Sequence, residues 1–224
     1  MRTAAAIILG SALVLSVPAW SIPSPDAGDD ATTGKAPDAA AMARYSEALA
    51  LLKKGDASEQ QAASATSAVA RKAALTDSQN AYTEAKIKFA TLVAENPGMA
   101  EAWNSLGYTQ RKTGFYDDAL ASYAKALELK PGYPEALEYR GEAYLRLNRI
   151  ADAKQAYLQL FSSNRTISDH FLKSMQAWVR AKSKAPGDTD PAQVRELQKW
   201  VQERSQIAAQ TASLTRAGAA ESWH

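Results

Sequence analysis

The fold is decided by residues 101–134, which read EAWNSLGYTQRKTGFYDDALASYAKALELKPGYP. Five residues of this stretch recur with the same chemical character 34 positions later. They are Glu101, Ala102, Gly107, Ala119 and Tyr123, which reappear as Glu135, Ala136, Gly141, Ala153 and Tyr157. The same interval in the other direction leads from Ala119, Tyr123 and Pro131 to Ala85, Phe89 and Pro97. A fixed period over three units indicates a repeat array.

Packing explains why these residue types recur. Each unit is predicted to be a pair of antiparallel helices, and neither helix can bury its apolar face alone. A small residue is needed where two backbones approach most closely, and Gly107 and Gly141 are predicted to fill that role. Large aromatic rings, Tyr123 and Tyr157, are predicted to wedge against these glycines. The pattern therefore predicts stacked helical hairpins.

The residues that end the helices and form the turns between them support this interpretation. Proline follows each predicted second helix, at Pro97 and Pro131, where it cannot continue the hydrogen-bond ladder. The turn inside a pair needs a residue that tolerates positive φ. Gly114 occupies this turn in one unit and Asn148, 34 residues later, occupies it in the next. Glycine and asparagine are the two residues that adopt this conformation most readily. Gly114 and Asn148 therefore match in the backbone conformation they allow, although they are different residues.

The residues of the best unit resemble the tetratricopeptide repeat family. They are Trp103, Leu106, Gly107, Ala119, Tyr123, Ala126 and Pro131. The resemblance implies an all-α fold, a short solenoid of helix pairs. The clearest repeats are placed at 100–133 and 134–167, with a degraded one at 66–99. Combined with the N-terminal segment described below, the chain resembles small secreted or periplasmic bacterial proteins of this family.

Outside the clear repeats, the helical domain is predicted over 38–209. Met42 to Lys54 is predicted to be a first helix that Gly55 ends. The Ala-rich stretch from Ser58 to Leu75 favours either close helix packing or a weakly held solvent helix.

An atypical C-terminal helix pair is predicted to cap the array. Its first helix is predicted to begin at Ser168 or Asp169 and to reach Lys182. Its second helix begins at Asp190-Pro191, a strong start signal, and carries an apolar stripe. The stripe consists of Val194, Leu197 and Val201. A flexible tail is predicted at 210–224.

The first 21 residues resemble a signal peptide. Arg2 precedes an uncharged apolar run, and small residues stand before a predicted cleavage site near Ser21. A retained anchor is the alternative, although the run is shorter than the ~20 residues of a spanning helix. Residues 22–37 are rich in proline, glycine and aspartate, which favours a disordered linker. The mature chain is expected in the periplasm or outside the cell, without a stable membrane span.

Composition argues against several classes of function. The net charge of +2 is small and its signs are mixed, so no nucleic-acid partner is predicted. The chain has no cysteine and two histidines, His170 and His224. Neither histidine lies in a recognisable catalytic or metal-binding motif, and no phosphate-binding glycine loop is present. We therefore predict a non-catalytic protein without cofactor or metal.

The tetratricopeptide resemblance implies that the first helix of each pair lines a concave groove for a protein or peptide partner. Seven residues at helical spacing are the candidates: Asn104, Tyr108, Arg111, Lys112, Glu138, Glu142 and Arg146. We expect them to be polar and accessible, with Tyr108 exposed. Glu138 and Glu142 would repel an anion, so a carboxylate-terminated ligand is not predicted.

Three alternatives to a peptide-binding groove remain open at this point. The seven residues could form an ordinary solvated face without a partner. The C-terminal stripe of Val194, Leu197 and Val201 suggests self-association into a homo-oligomer. An enzyme is the weakest alternative, and it would require titratable groups that meet in a pocket.

Overall fold

A computed structural model describes residues 37–221, with side chains described as far as Thr211. This part of the chain forms eight α-helices and no strand. The helices are α1 (Ala39–Ser64), α2 (Ala68–Glu95), α3 (Ala100–Lys112), α4 (Tyr116–Leu129), α5 (Pro134–Arg146), α6 (Ile150–Ser163), α7 (Arg165–Lys184) and α8 (Pro191–Glu221). The predicted signal peptide, and the predicted linker as far as residue 36, lie outside the described residues.

The helices pack as four successive pairs, α1–α2, α3–α4, α5–α6 and α7–α8. Each pair also contacts the next one along the chain. The first helices of the pairs touch one another as well, α1 with α3, α3 with α5, and α5 with α7. They therefore form one layer of the molecule, with α2, α4 and α6 outside it. This arrangement confirms the predicted helix-pair solenoid, including a final pair that closes it.

The turns inside the two clear repeats follow the prediction. Gly114 has a φ of 87° and Asn148 has a φ of 57°, and Asn148 is the only described non-glycine residue with positive φ. Each residue lies just beyond the last turn of a first helix, where it reverses the chain. Pro97 and Pro131 lie just beyond the ends of α2 and α4, again as expected.

Close helix contact at glycine is confirmed for the first clear repeat. A Cβ atom added to Gly107 would lie 2.7 Å from Cε1 of Tyr123, whose ring is fully buried. The prediction for the next repeat was wrong about the partner. Gly141 faces the ring of Phe171 on α7, and not Tyr157. Gly141 thus holds the final pair to the array, while Tyr157 packs edge-on against Trp200 of α8.

The first pair differs most from the prediction, because Gly55 lies inside α1 and does not end it. A Cβ at Gly55 would lie 2.5 Å from Cε1 of Tyr82, so this glycine admits a ring from the paired helix, as Gly107 does. The Ala-rich stretch is also no separate first helix of a repeat at 66–99. It forms the tip of the α1–α2 hairpin, whose helices have 26 and 28 residues against 13 and 14 in the next pair.

The C-terminal boundaries also need correction. Asn164, and not Ser168 or Asp169, caps α7, because its Oδ1 accepts a hydrogen bond from the Ile167 amide at 3.0 Å. Arg165 occupies the place where the preceding repeat has proline, so a new helix can begin at once. The tail predicted from residue 210 is helical as far as Glu221. The start at Asp190-Pro191 is confirmed, since Asp190 accepts from the Ala192 amide.

Two buried apolar clusters fill the array. One joins α1 to α5, the other joins α5 to α8, and Leu127 packs against both. The stripe of Val194, Leu197 and Val201 belongs to the second cluster, where all three side chains are buried. They pack within the array and not toward solvent, so this stripe offers no exposed surface for self-association. Within residues 37–221 no helix has the length and apolar character needed to cross a bilayer.

Replacing Gly107 by leucine tests the helix contact. The added side chain must enter the space of the buried Tyr123 ring, so we expect Gly107→Leu to lower the free energy of unfolding by about 1–3 kcal/mol. Urea denaturation followed by circular dichroism measures this. Ala121→Leu adds a side chain at an exposed position of α4 and should change the free energy by less than about 0.5 kcal/mol. Equal midpoints for the two variants would contradict the contact.

Candidate functional site

A chain of polar contacts runs across all four first helices on the face where the groove is expected. Its members are Asp56 of α1, Tyr108 and Arg111 of α3, Glu142 of α5 and Ser174 of α7. We call these five residues the polar chain. Helical spacing of the repeat places the groove residues on this face, and the layer of first helices brings the four segments side by side.

At one end of the polar chain, Asp56 accepts two hydrogen bonds. The hydroxyls of Tyr82 and Tyr108 each donate to its Oδ1 at 2.6 Å. Burial, together with the nearby Asp56 carboxylate, raises the pKa of both phenols, so both remain protonated donors. Tyr108 is only 5% exposed, which corrects the expectation of an exposed tyrosine. Its ring fills the space between α1, α3 and α5.

Arg111 lies at the centre of the polar chain. Its Nη1 is 2.8 Å from Oε2 of Glu142, and its guanidinium lies over the rings of Tyr108 and Tyr139 at 5.1 and 5.4 Å. Burial lowers the pKa of Arg111, but Glu142 and the tyrosines outweigh it and raise the pKa well above its usual value. Ser174 donates to Oε1 of Glu142 at 2.8 Å. Both oxygens of this carboxylate are therefore satisfied.

A second ion pair flanks the polar chain. Lys112 pairs with Glu59 of α1, and its ammonium lies over the rings of Tyr82 and Tyr108 at 5.1 and 5.7 Å. Burial lowers the pKa of Lys112 more than Glu59 raises it. The cation is thus bound within the array and is not a free group on a surface.

Two further predicted members, one from α3 and one from α5, lie at opposite extremes of accessibility. Asn104 is fully buried, and its side-chain amide has no partner with hydrogen-bond geometry among the described residues. Arg146, one helical turn beyond Glu142, is exposed. Asn104 therefore belongs to the interior, while Arg146 remains available at the rim of the groove face.

Glu138 is the unusual residue of the site. It occupies the position of Asn104 in the next repeat, 34 residues later, and is 8% exposed. Its carboxylate makes no ion pair or hydrogen bond with any described residue. Burial, then repulsion by Glu142, raises its pKa to about 8, although Arg111 acts in the opposite direction. At neutral pH most molecules therefore hold this carboxyl in its protonated form.

The structure thus brings five of the seven predicted residues together, but mostly as a buried network, while Asn104 and Arg146 lie apart from it. Sequence analysis missed their partners Asp56, Glu59 and Ser174. Asp56 follows Gly55 as Tyr108 follows Gly107, so aligning Gly55 with Gly107 would have revealed it. The described residues contain no group of three histidine, cysteine or acidic residues able to hold a metal ion.

The buried ion pair predicts an asymmetric response to substitution. Arg111→Met leaves Glu142 buried without its cation, so we expect the free energy of unfolding to fall by about 3 kcal/mol. Adding Glu142→Met should restore most of that loss, because two apolar groups can pack where the charges stood. Urea denaturation of the two variants decides this. If the double variant is less stable than the single one, the pair is not the stabilising contact described.

Glu138 predicts how stability depends on pH. Its carboxyl titrates near 4.5 in the unfolded chain and at about 8 when folded, so its proton stabilises the fold. That contribution is complete below about pH 4.5 and is lost as the pH rises to about 8. Glu138→Gln, which keeps the neutral shape, should match the wild type at pH 5. At pH 9 it should be more stable by roughly 2–4 kcal/mol. Parallel pH profiles in urea denaturation would contradict the burial of this carboxyl.

Comparison with known proteins identifies the type of helical repeat in this chain. A family described as a tetratricopeptide repeat matches residues 74–134 and 106–163, together less than half of the chain. The uncharacterized protein ycf37 of Guillardia theta is 36% identical over 66 residues, which cover 30% of this chain and 37% of that protein. The match thus spans little more than a third of the relative. Tetratricopeptide repeats are therefore present in the segment that contains α3 to α6, and domains built from them generally mediate protein–protein interaction.

Proposed function

We propose that this protein is an exported, non-catalytic interaction module that binds a peptide or a helix of a partner protein along the groove face of α3 and α5. The observation that carries the proposal is the polar chain, which joins the first helices into one rigid face. A preorganised surface pays a smaller entropic cost when a partner binds. The presence of tetratricopeptide repeats supports the same class of function.

The geometry also indicates which residues can reach a partner. Tyr108 is buried and the side chain of Arg111 is only 11% exposed, so their substitution would perturb the fold as well as binding. Arg146 is exposed on the same helical face, and Glu135 is partly exposed one turn before Glu138. We assign first contact with the partner to this rim.

Export is proposed from the N-terminal sequence alone. An apolar, uncharged run with a cleavage signal near Ser21 is typical of a signal peptide. A mature chain that begins at Ile22 would carry the helical array on a linker of proline, glycine and aspartate. We place the interaction module in the periplasm or outside the cell, where a partner from the envelope would meet it.

Site-specific photocrosslinking in intact cells tests this proposal. A photoreactive residue at Arg146 should capture a defined partner, whereas one at Lys125, on the exposed face of α4, should capture far less. N-terminal mass spectrometry of the captured protein should show Ile22 as the first residue. Equal, diffuse crosslinking from both positions would contradict groove binding. A captured chain that retains Met1 would contradict export by signal cleavage.

A further inference from the structure

Helix α5 carries three glutamates on one face. Glu135, Glu138 and Glu142 follow one another at spacings of three and four residues, which places them in one row. Glu142 is neutralised by Arg111 and accepts a hydrogen bond from Ser174. Glu138, at the centre of the row, is more than nine-tenths buried and has no partner among the described residues. A largely buried carboxyl without a partner is unfavourable when it is ionised, and a cationic ligand at this position would offset that cost.

The charges around this row have a definite sign. The exposed Arg146 lies at the rim of this face. The neighbouring acids on the first helices are Asp56, Glu59, Glu101, Glu135 and Glu142, and the bases packed among them are Arg111 and Lys112. Each of these bases is already paired, Arg111 with Glu142 and Lys112 with Glu59. The whole chain carries a net charge of +2, so the acidic excess is local to this face. No cation among the described residues forms an ion pair with Glu138, although Arg111 lies close enough to lower its pKa.

We propose that Glu138 is the receptor for a lysine or arginine side chain of the partner. This inference rests on the proposed function, since it assigns the partner chemistry of the same groove. A cation at this position would supply the missing counter-charge, and it would also meet Glu135 one turn away. The ring of Tyr139, which already lies near the guanidinium of Arg111, belongs to the same cluster and can add a cation–π contribution.

If Glu138 binds a cation, its titration should make that binding depend on pH. The charged groups acting on it are Glu142 and Glu135 of α5 and Arg111 of α3. The phenols of Tyr123 and Tyr139 lie in the same cluster. From α7 the Ser174 hydroxyl reaches the neighbouring Glu142 and not Glu138, and no charged group of the described α6 or α7 residues acts on Glu138. The pKa values of Arg111, Tyr123 and Tyr139 are all raised, so none of these three groups titrates between pH 6 and 9.

A cation binds the ionised carboxylate, whereas most free molecules hold the protonated form below pH 8. Binding should therefore release a proton, and affinity for a cationic peptide should rise with pH. Linkage limits the rise to tenfold per pH unit below the pKa of the free carboxyl. We expect an increase of about tenfold between pH 6.5 and pH 8.5, followed by a plateau.

The experiment uses the full chain and four pools of decapeptides with random flanks. The central residue is fixed as lysine, arginine, glutamine or glutamate, and the peptide ends are acetylated and amidated. Retention of each pool is measured at pH 6.5 and pH 8.5 for wild type, Glu138→Gln and Glu128→Gln. Glu128 is an exposed residue of α4, so the last variant removes the same charge away from the groove.

Wild type and Glu128→Gln should retain the lysine and arginine pools about tenfold better than the glutamine pool at pH 8.5. Glu138→Gln should lose that preference and its pH dependence. Urea denaturation at both pH values shows whether Glu138→Gln remains folded. If it does not, Glu138→Asp, which keeps the charge on a shorter side chain, replaces it, and a weakened preference is then expected.

Three outcomes would overturn the inference, and they have different meanings for the proposed function. If Glu138→Gln prefers the cationic pools as strongly as wild type, the receptor role of Glu138 is wrong and groove binding stands. If no protein retains any pool at either pH, both the inference and peptide binding in the groove are wrong. Retention of the glutamate pool above the glutamine pool would also contradict the proposed charge preference.

Discussion

The array depends on three places where a helix backbone meets an aromatic ring with no Cβ in between. Gly55 admits Tyr82, Gly107 admits Tyr123, and Gly141 admits Phe171. The first two contacts close a helix pair, and the third joins the final pair to the one before it. Any larger residue at these positions would have to displace a ring that is buried. The stacking of the four pairs, and with it the layer of first helices, follows from these contacts.

The layer of first helices decides the chemistry of the groove face. Because α1, α3, α5 and α7 lie side by side, polar residues at matching positions face one another across each boundary. Most of them pair internally, as in the hydrogen bonds to Asp56 and the ion pair of Arg111 with Glu142. The face is consequently stiff, and few of its groups remain free to select a partner. Among the described residues of this face, neither Glu138, which is buried, nor Arg146, which is exposed, forms an ion pair.

Much of the fold could be predicted because the repeat imposes the same packing demand every 34 residues. The turns at Gly114 and Asn148 and the contact of Gly107 with Tyr123 were predicted on that basis. Gly55 was misjudged because the local signal is ambiguous, since a glycine within a helical pattern can end the helix or admit a neighbour. Only the tertiary contact with Tyr82 distinguishes the two cases.

The site was predictable in position but not in accessibility. Helical spacing correctly placed Tyr108, Arg111 and Glu142 on one face, yet spacing carries no information about how deeply a neighbouring helix covers them. Asp56 and Ser174 come from the atypical first and last pairs, where the 34-residue period is weak or lost, so that period did not identify them. Phe171, the partner of Gly141, was missed for the same reason. Only the match of Gly55 to Gly107 would have indicated Asp56.

The most direct test of the central contact is a double-mutant cycle between Gly107 and Tyr123. Gly107→Ala introduces a Cβ that would lie 2.7 Å from the tyrosine ring, but alanine is also the better helix former by about 1 kcal/mol. In the wild-type background the clash should dominate, and the free energy of unfolding should fall. In a Tyr123→Leu background the same change should be neutral or stabilising. An identical effect of alanine in both backgrounds would contradict the account.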